Sequence, residues 1–248
     1  MALRGNLEKC GNWLFRWRSF SPLFAAPLLL LALWQKKALA GSAAPADSIY
    51  WELGAVLISF SGLAVRCAVA GYAPRGTSGR NTKWQAAETL NTKGLYSIVR
   101  NPLYLGNFLI VFGITVFMQV WWLALVVWLG FWAYYSVIIF TEEEFLKKKF
   151  GAAFLEWAEK TPKIIPRLRN LEKAELPFSF KAMFRREFST FFAVIAVFSF
   201  LEVALSFLAS GKLFLRLPWL VFFLSGFCLY WVFFILKKKT SVLEVPGR

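Results

Sequence analysis

The 248-residue sequence contains no histidine. Imidazole acid–base chemistry, serine–histidine triads and imidazole metal ligands are therefore excluded together. Cysteine is nearly as scarce: Cys10, Cys67 and Cys228 are scattered, odd in number and form no CxxC pair. They support neither a disulfide framework nor a zinc site, and read as packing residues. No metal centre is expected. The glycines follow neither a P-loop, which needs Gly-Lys-Ser/Thr at its end, nor GxGxxG after a strand, so soluble dinucleotide-type binding is unsupported. Acidic residues are few, 14 against 29 lysines and arginines, leaving a net charge of +15.

What is abundant is apolar side chain: 58% of residues are hydrophobic and 19% aromatic, too many for an ordinary soluble domain of this length. A helix needs about 20 apolar residues to cross the hydrocarbon. Candidate spans are Leu23 to Trp34, which is short, then Ile49 to Tyr72, Leu103 to Phe117, Val120 to Phe140, Phe188 to Ala209 and Leu217 to Leu236. The expected fold is all-α: a polytopic membrane protein of about six transmembrane helices. The block from Leu103 to Phe140 is uncharged, and as one helix it would extend roughly 57 Å, well beyond the bilayer core. It must fold back, most simply near Met118-Gln119, giving a tight hairpin of spans three and four.

The positive charge could suggest nucleic acid, but its distribution follows the positive-inside rule, and no nucleic-acid partner is expected. Arg4, Lys9, Arg16 and Arg18 precede span one; Arg75, Arg80, Lys83, Lys93 and Arg100 separate spans two and three. A dense basic group from Lys147 to Arg186 follows span four, and Lys237, Lys238 and Lys239 close span six. Only Lys36, Lys37, Lys212 and Arg216 fall on the other side. Both termini and both large polar segments are thus expected in the cytoplasm, at the inner or plasma membrane or the endoplasmic reticulum, where anionic headgroups attract them. The basic N-terminus, short apolar run and Ala38-Leu39-Ala40 imitate a signal peptide, but Trp-Gln-Lys-Lys is atypical of one. A retained helix is expected.

Two polar clusters could carry chemistry. In "GLYSIVRNPLYLGN", Asn101 followed by Pro102 is a good helix start, with Asn as cap and Pro at the first helical position. Arg100 can snorkel or bind a ligand, Tyr104 can be a belt aromatic, and Gly106 can let helices pack closely. The second cluster, "TEEEFLKKKFGAAFLEWAEKTPKIIP", follows span four. Thr141 with Glu144 fits a capping box, and Glu142 and Glu143 suit the positive end of a helix dipole. Phe145, Leu146, Phe150, Phe154 and Trp157 recur at helical spacing, which describes a cytoplasmic helix in the interface. If spans three and four form a hairpin, Arg100 lies beside Glu142 and Glu143. A guanidinium and two carboxylates can bind a zwitterion such as an amino acid moiety.

At these two clusters the sequence resembles the integral-membrane methyltransferases that include isoprenylcysteine carboxyl methyltransferase and the phospholipid N-methyltransferases. That family shows Arg-His-Pro-x-Tyr-x-Gly at the start of one hairpin helix, then Glu-Glu-x-x-Leu-x-x-x-Phe-Gly-x-x-Tyr-x-x-Tyr, then a proline-bearing end. Here the counterparts are Arg100-Asn101-Pro102-Leu103-Tyr104-Leu105-Gly106, then Glu142-Glu143 with Leu146, Phe150, Gly151, Phe154 and Trp157, then Pro162 and Ile165-Pro166. The resemblance covers roughly Arg66 to Arg169. It implies S-adenosylmethionine at the cytoplasmic end of the hairpin, Arg100 and Glu143 at the catalytic centre, and Asn101, Pro102, Tyr104, Gly106, Glu142 and Glu143 around the cofactor. It also implies a lipid or lipidated substrate entering from the bilayer. Asn101 stands where the family has histidine; it keeps a donor and an acceptor but cannot titrate near neutral pH.

Methyl transfer to a nucleophile that is already an anion needs no general base, so the missing histidine is tolerable. With Arg66, Arg75, Arg80 and Arg100 near the cytoplasmic boundary, an anionic headgroup is favoured, and Arg66 and Arg80 are candidate substrate-binding residues. Arg66 can equally snorkel or reach Glu143. Glu202, in the apolar body of span five, is expected to make a contact between helices rather than to act in catalysis. The organisation expected is an N-terminal transmembrane region over 1–65, a methyltransferase-like core over 66–170 and a two-helix extension over 171–248. Alternatives are an NADPH-dependent sterol-type reductase, which shares an Arg-His-x-x-Tyr-x-Gly element, or a membrane scaffold with a degenerate cofactor site.

Overall fold

A computed structural model describes residues 2–18, 25–39, 49–74 and 87–247. The described residues form helices α1 (Ala2–Trp17), α2 (Ala26–Leu39), α3 (Ile49–Tyr72), α4 (Leu95–Ile98), α5 (Pro102–Phe117), α6 (Trp121–Phe150), α7 (Ala152–Lys160), α8 (Phe180–Ser210) and α9 (Leu217–Lys239). No strand occurs among them; Gly94 and Glu172 make one isolated antiparallel bridge. Four helices, α3, α6, α8 and α9, are long and apolar enough to cross a membrane. This is an all-α, polytopic integral membrane protein. Of the six apolar segments, α2 and α5 are the short ones, with 14 and 16 residues.

The chain folds back between α5 and α6 where the charge-free block required it. Met118 and Gln119 form the turn, closed by backbone bonds to Thr115 and Val116 of 3.2 and 3.0 Å, and Gln119 takes φ 54°. The principal partner of α5, however, is α3. Small residues line that seam: Ser59 Oγ donates to the Ile110 carbonyl at 2.8 Å, and a Cβ on Gly62 would lie 2.8 Å from the Ile110 nitrogen and collide with the Gly106 carbonyl. Close approach of two backbones replaces bulky side-chain packing here. Gly62→Val should therefore destabilise the protein by about 1–3 kcal/mol, read as a lowered thermal midpoint in detergent. Gly54→Val, in the same helix with nothing within 4 Å of the added carbon, should leave the midpoint unchanged.

Two expectations are corrected. Thr141 does not cap a new helix; its hydroxyl bonds back to the Val137 carbonyl at 2.9 Å inside α6. Glu, Phe, Leu and Lys are all compatible with a helix, so nothing stops α6 until Gly151, whose φ of 55° only glycine adopts easily. At 30 residues α6 is about 45 Å long and outruns the hydrocarbon. The separate helix expected after span four is accordingly α7, beginning at Ala152. Nor does Asn101 cap α5 with its side chain, although Pro102 does occupy the first turn.

Helix α1 lies antiparallel along the basic end of α6. Tyr134 donates to the Leu14 carbonyl at 2.9 Å, Gly11 sits against Thr141, and Phe15 is buried with Tyr104, Tyr135, Ile138 and Ile139. At the opposite end of the bundle, Arg216 at the start of α9 pairs with Glu52 of α3 and Glu202 of α8, and Trp219 Nε1 donates to Glu52 at 3.2 Å. Glu202 is thus a contact between helices.

Candidate active site

The two polar clusters meet at the basic end, held by a loop-to-loop seam. The Arg100 amide donates to the Pro162 carbonyl and the Arg167 amide to the Ile98 carbonyl, both at 2.9 Å. Asn101 Nδ2 donates to the Lys163 carbonyl at 3.1 Å, and Trp157 Nε1 to the Tyr96 carbonyl at 2.9 Å. The prolines after α7 thus position the residues that start α5. Asn101 is spent on this seam instead of on the orphan amides of α5.

Glu142 and Glu143 are successive residues on α6 and so point about 100° apart. Glu142 turns inward, where Arg18 Nη1 approaches to 3.2 Å and the Tyr104 hydroxyl donates to it. Glu143 lies between Arg100 Nε at 3.5 Å and Lys163 Nζ at 3.3 Å. The Arg100 separation is an ion pair too long for a hydrogen bond, and both Arg100 Nε and Glu143 Oε1 are buried without a hydrogen-bond partner. Such unmet capacity is costly in a purely structural contact. Tyr104 stacks against Tyr135 with centroids 4.7 Å apart. Tyr96 is desolvated, which with the nearby Glu142 carboxylate pushes its phenol above the ordinary value, while Arg186 opposes the shift.

Arg18, Tyr96, Arg100, Tyr104, Tyr135 and Glu142 line a cavity of about 1710 Å³, roomier than a typical small-molecule pocket. Its polar end carries Arg18, Arg100, Asn101, Tyr104 and Glu142; its shaft runs between α5, α6 and α8 past Ile110, Ile114, Val127, Val194 and Val197. Among the residues expected from sequence, Arg66, Arg100, Asn101, Pro102, Tyr104 and Glu142 line this cavity. Glu143 stands behind Arg100, outside the lining, and Gly106 faces α3, where an added Cβ would meet the Arg66 side chain at 2.8 Å. Arg80 lies outside the described residues.

Arg66 does not reach Glu143. Its Nε and Nη2 each donate to Glu187 of α8 at 2.9 Å, and Nη1 donates to Asn107. Arg18, Asn107 and Glu187 were missed in the sequence. Glu187 had a usable signal, since an acid within a basic and apolar helix start demands a cationic partner. Among the described residues no three His, Cys, Asp or Glu side chains gather as metal ligands.

Residues 50–153 match the phospholipid methyltransferase family. The match begins one residue into α3, takes in both motif clusters as far as Gly151, and stops short of Trp157, Pro162 and Pro166. The matched segment contains Arg66, Arg100 to Gly106 and the Glu142-Glu143 pair, and excludes α1, α2, α8 and α9. The chain is also 39% identical over 80 residues to the cobalt-zinc-cadmium resistance protein CzcN of Cupriavidus metallidurans, an alignment covering 32% of this chain and 37% of that protein. It thus spans little more than a third of that relative. No solved structure matches the chain. The phospholipid methyltransferase match supports membrane methyl transfer as the general class of activity.

Proposed function

We propose that this protein transfers a methyl group from S-adenosylmethionine to an anionic headgroup of a lipid or lipidated acceptor at the cytoplasmic face. The observation that carries the reading is one cavity joining a charged end to an apolar shaft. A zwitterion and an acyl or prenyl chain are thereby offered adjoining surfaces of opposite character. The residues fit the cofactor: Arg100 suits its carboxylate, Glu142 its ammonium group, and Tyr96 and Trp157 supply aromatic surface at the same end. Arg100 lines the cavity with its Nε buried and not hydrogen-bonded, and Glu143, behind it, holds the guanidinium in place for a bound zwitterion.

S-adenosylmethionine supplies an electrophilic methyl carbon on a sulfonium. The chain's own residues then have positional work. Arg100 orients, Asn101 fixes the loop through Lys163, and the desolvated walls exclude water from an anionic oxygen nucleophile. No proton has to be removed from such a nucleophile. Were the acceptor an amine, Glu142 is the motif carboxylate that lines the cavity, and it would take the proton. The cytoplasmic assignment rests on the lysines and arginines concentrated at this end. The name of the CzcN relative speaks of cobalt, zinc and cadmium; with no histidine here and no gathered ligands among the described residues, membrane methyl transfer is the better-supported reading.

The test is equilibrium binding of S-adenosylmethionine to the detergent-purified protein, with NADPH as control, followed by transfer of a labelled methyl group to extracted lipids. Saturable S-adenosylmethionine binding, tightened by Asn101→His, and label in anionic lipids are expected. Binding of NADPH instead would make the protein a reductase, and binding of neither would make it a scaffold. Label confined to zwitterionic amine lipids would overturn the headgroup assignment.

A further inference from the structure

The cavity has a second charged corner, outside the segment that matches the methyltransferase family. Arg185 and Arg186 of α8 and Lys237 of α9 line it, with the Thr190 hydroxyl one turn deeper. The corner is built: Lys237 Nζ donates to the Arg185 carbonyl at 3.0 Å and lies 5.1 Å over the Phe188 ring, while Phe184 and Phe233 stack at 4.4 Å to fasten α8 to α9. Lysines and arginines that only met lipid phosphates would face outward from a bundle. These three line the mouth of the same open cavity as Arg100 and Glu142, with Lys237 and Arg185 partly in solvent.

After α9 the chain turns back toward that space. Leu243 is buried and anchors the segment, the Glu244 amide bonds to the Ser241 carbonyl at 2.9 Å, and Glu244, Val245, Pro246 and Gly247 line the cavity. The Glu244 carboxylate stands 3.8 Å from Arg185. The fold therefore delivers one of its own anions to the cationic corner. At that distance, with Glu244 exposed, the pair is weak.

We propose that Arg185, Arg186 and Lys237 form the anion subsite for the acceptor's phosphate-type headgroup, and that Glu244 is an internal stand-in which the headgroup displaces. The inference rests on the methyl-transfer reading above and names the part of the site that selects its substrate. Two guanidinium forks match a phosphate bidentately, which a single carboxylate at 3.8 Å does not exploit. The cofactor end and the headgroup corner belong to one cavity, which Tyr96, Glu142 and Arg186 all line. An acceptor held at this corner by its anion and in the shaft by its chain keeps that anionic oxygen inside the cavity that Arg100 also lines.

The test uses the full chain in a neutral detergent. Binding of fluorescent phosphatidylglycerol is measured against fluorescent diacylglycerol, with inorganic phosphate and glycerol phosphate as competitors and S-adenosylmethionine binding measured in parallel. Phosphatidylglycerol should bind more tightly than diacylglycerol. Arg185→Gln and Arg186→Gln should each weaken phosphatidylglycerol by about tenfold and leave diacylglycerol and S-adenosylmethionine unchanged. Glu244→Gln should tighten phosphatidylglycerol, and this gain cannot come from a misfolded variant. Wild-type affinity in both arginine variants would overturn the subsite, and an unchanged Glu244→Gln would overturn the stand-in. Competition by inorganic phosphate as effective as by glycerol phosphate, each abolished by the arginine substitutions, would move the site from a headgroup to a soluble anion. Arginine-dependent lipid binding without S-adenosylmethionine binding would keep the subsite and remove methyl transfer.

Discussion

Replacing Arg100 with alanine should lower methyl transfer by about a hundredfold or more while leaving the bundle folded. The position of Arg100 is secured by its backbone, whose amide bonds to Pro162, so truncating the side chain spares the seam between the two motif loops. What is lost is a cavity-lining guanidinium whose Nε is buried without a hydrogen bond. Glu143→Ala should also abolish turnover, through a different route: Glu143 lies outside the cavity lining and holds Arg100 and Lys163. It is a positioning residue, so the double variant should be no worse than Arg100→Ala alone. Turnover, S-adenosylmethionine affinity and thermal midpoint measured together decide the matter. Intact turnover in both single variants would sink the site assignment, and multiplied losses in the double variant would give Glu143 a separate role.

Glu187→Ala should destabilise the protein by about 3–5 kcal/mol, the largest stability loss expected of any single substitution considered. The deletion strands the Arg66 guanidinium, 16% exposed and wedged beside Gly106 between α3, α5 and α8. Asn107 alone then faces it with one acceptor oxygen. Arg66→Ala should cost a similar amount by leaving Glu187 uncompensated, and the double Arg66→Ala/Glu187→Ala should melt higher than either single variant. Thermal midpoints in one detergent measure all three. A double variant as unstable as the two losses added would show that packing, not charge pairing, sets the energetics of this contact.

Much of the fold was legible because hydrophobic length is a coarse and robust signal. The full span from Ile49 to Tyr72 is helical, and the uncharged run from Leu103 to Phe140 folds back at Met118-Gln119. The end of α6 was not legible from the same signal. Charge marks where a helix leaves the hydrocarbon, but a helix ends only where its backbone is broken, here at Gly151. The site divides in a similar way. Arg100, Asn101, Pro102, Tyr104 and Glu142 were legible from local motifs and do line one cavity. Arg18 and Glu187 find their partners 124 and 121 residues away, and no periodicity encodes such a pairing. Asn101 illustrates a subtler gap: its type suits a helix cap, yet its amide reaches the Lys163 carbonyl because the loop after α7 happens to be within reach.

The cluster of Glu52, Glu202 and Arg216 acquires a further meaning when the order of synthesis is considered. Glu52 leaves the ribosome 164 residues before Arg216, roughly 10–30 s at ordinary elongation rates. Throughout that interval α3 carries an acid near its apolar body without its eventual cation, and Glu202 joins it as a second acid only 14 residues before Arg216 is made. A carboxylate in that position is expensive within lipid. Helix α9 is therefore a clasp: it brings the cation that α3 and α8 share, and a nascent chain interrupted before Arg216 would leave Glu52 and Glu202 without it.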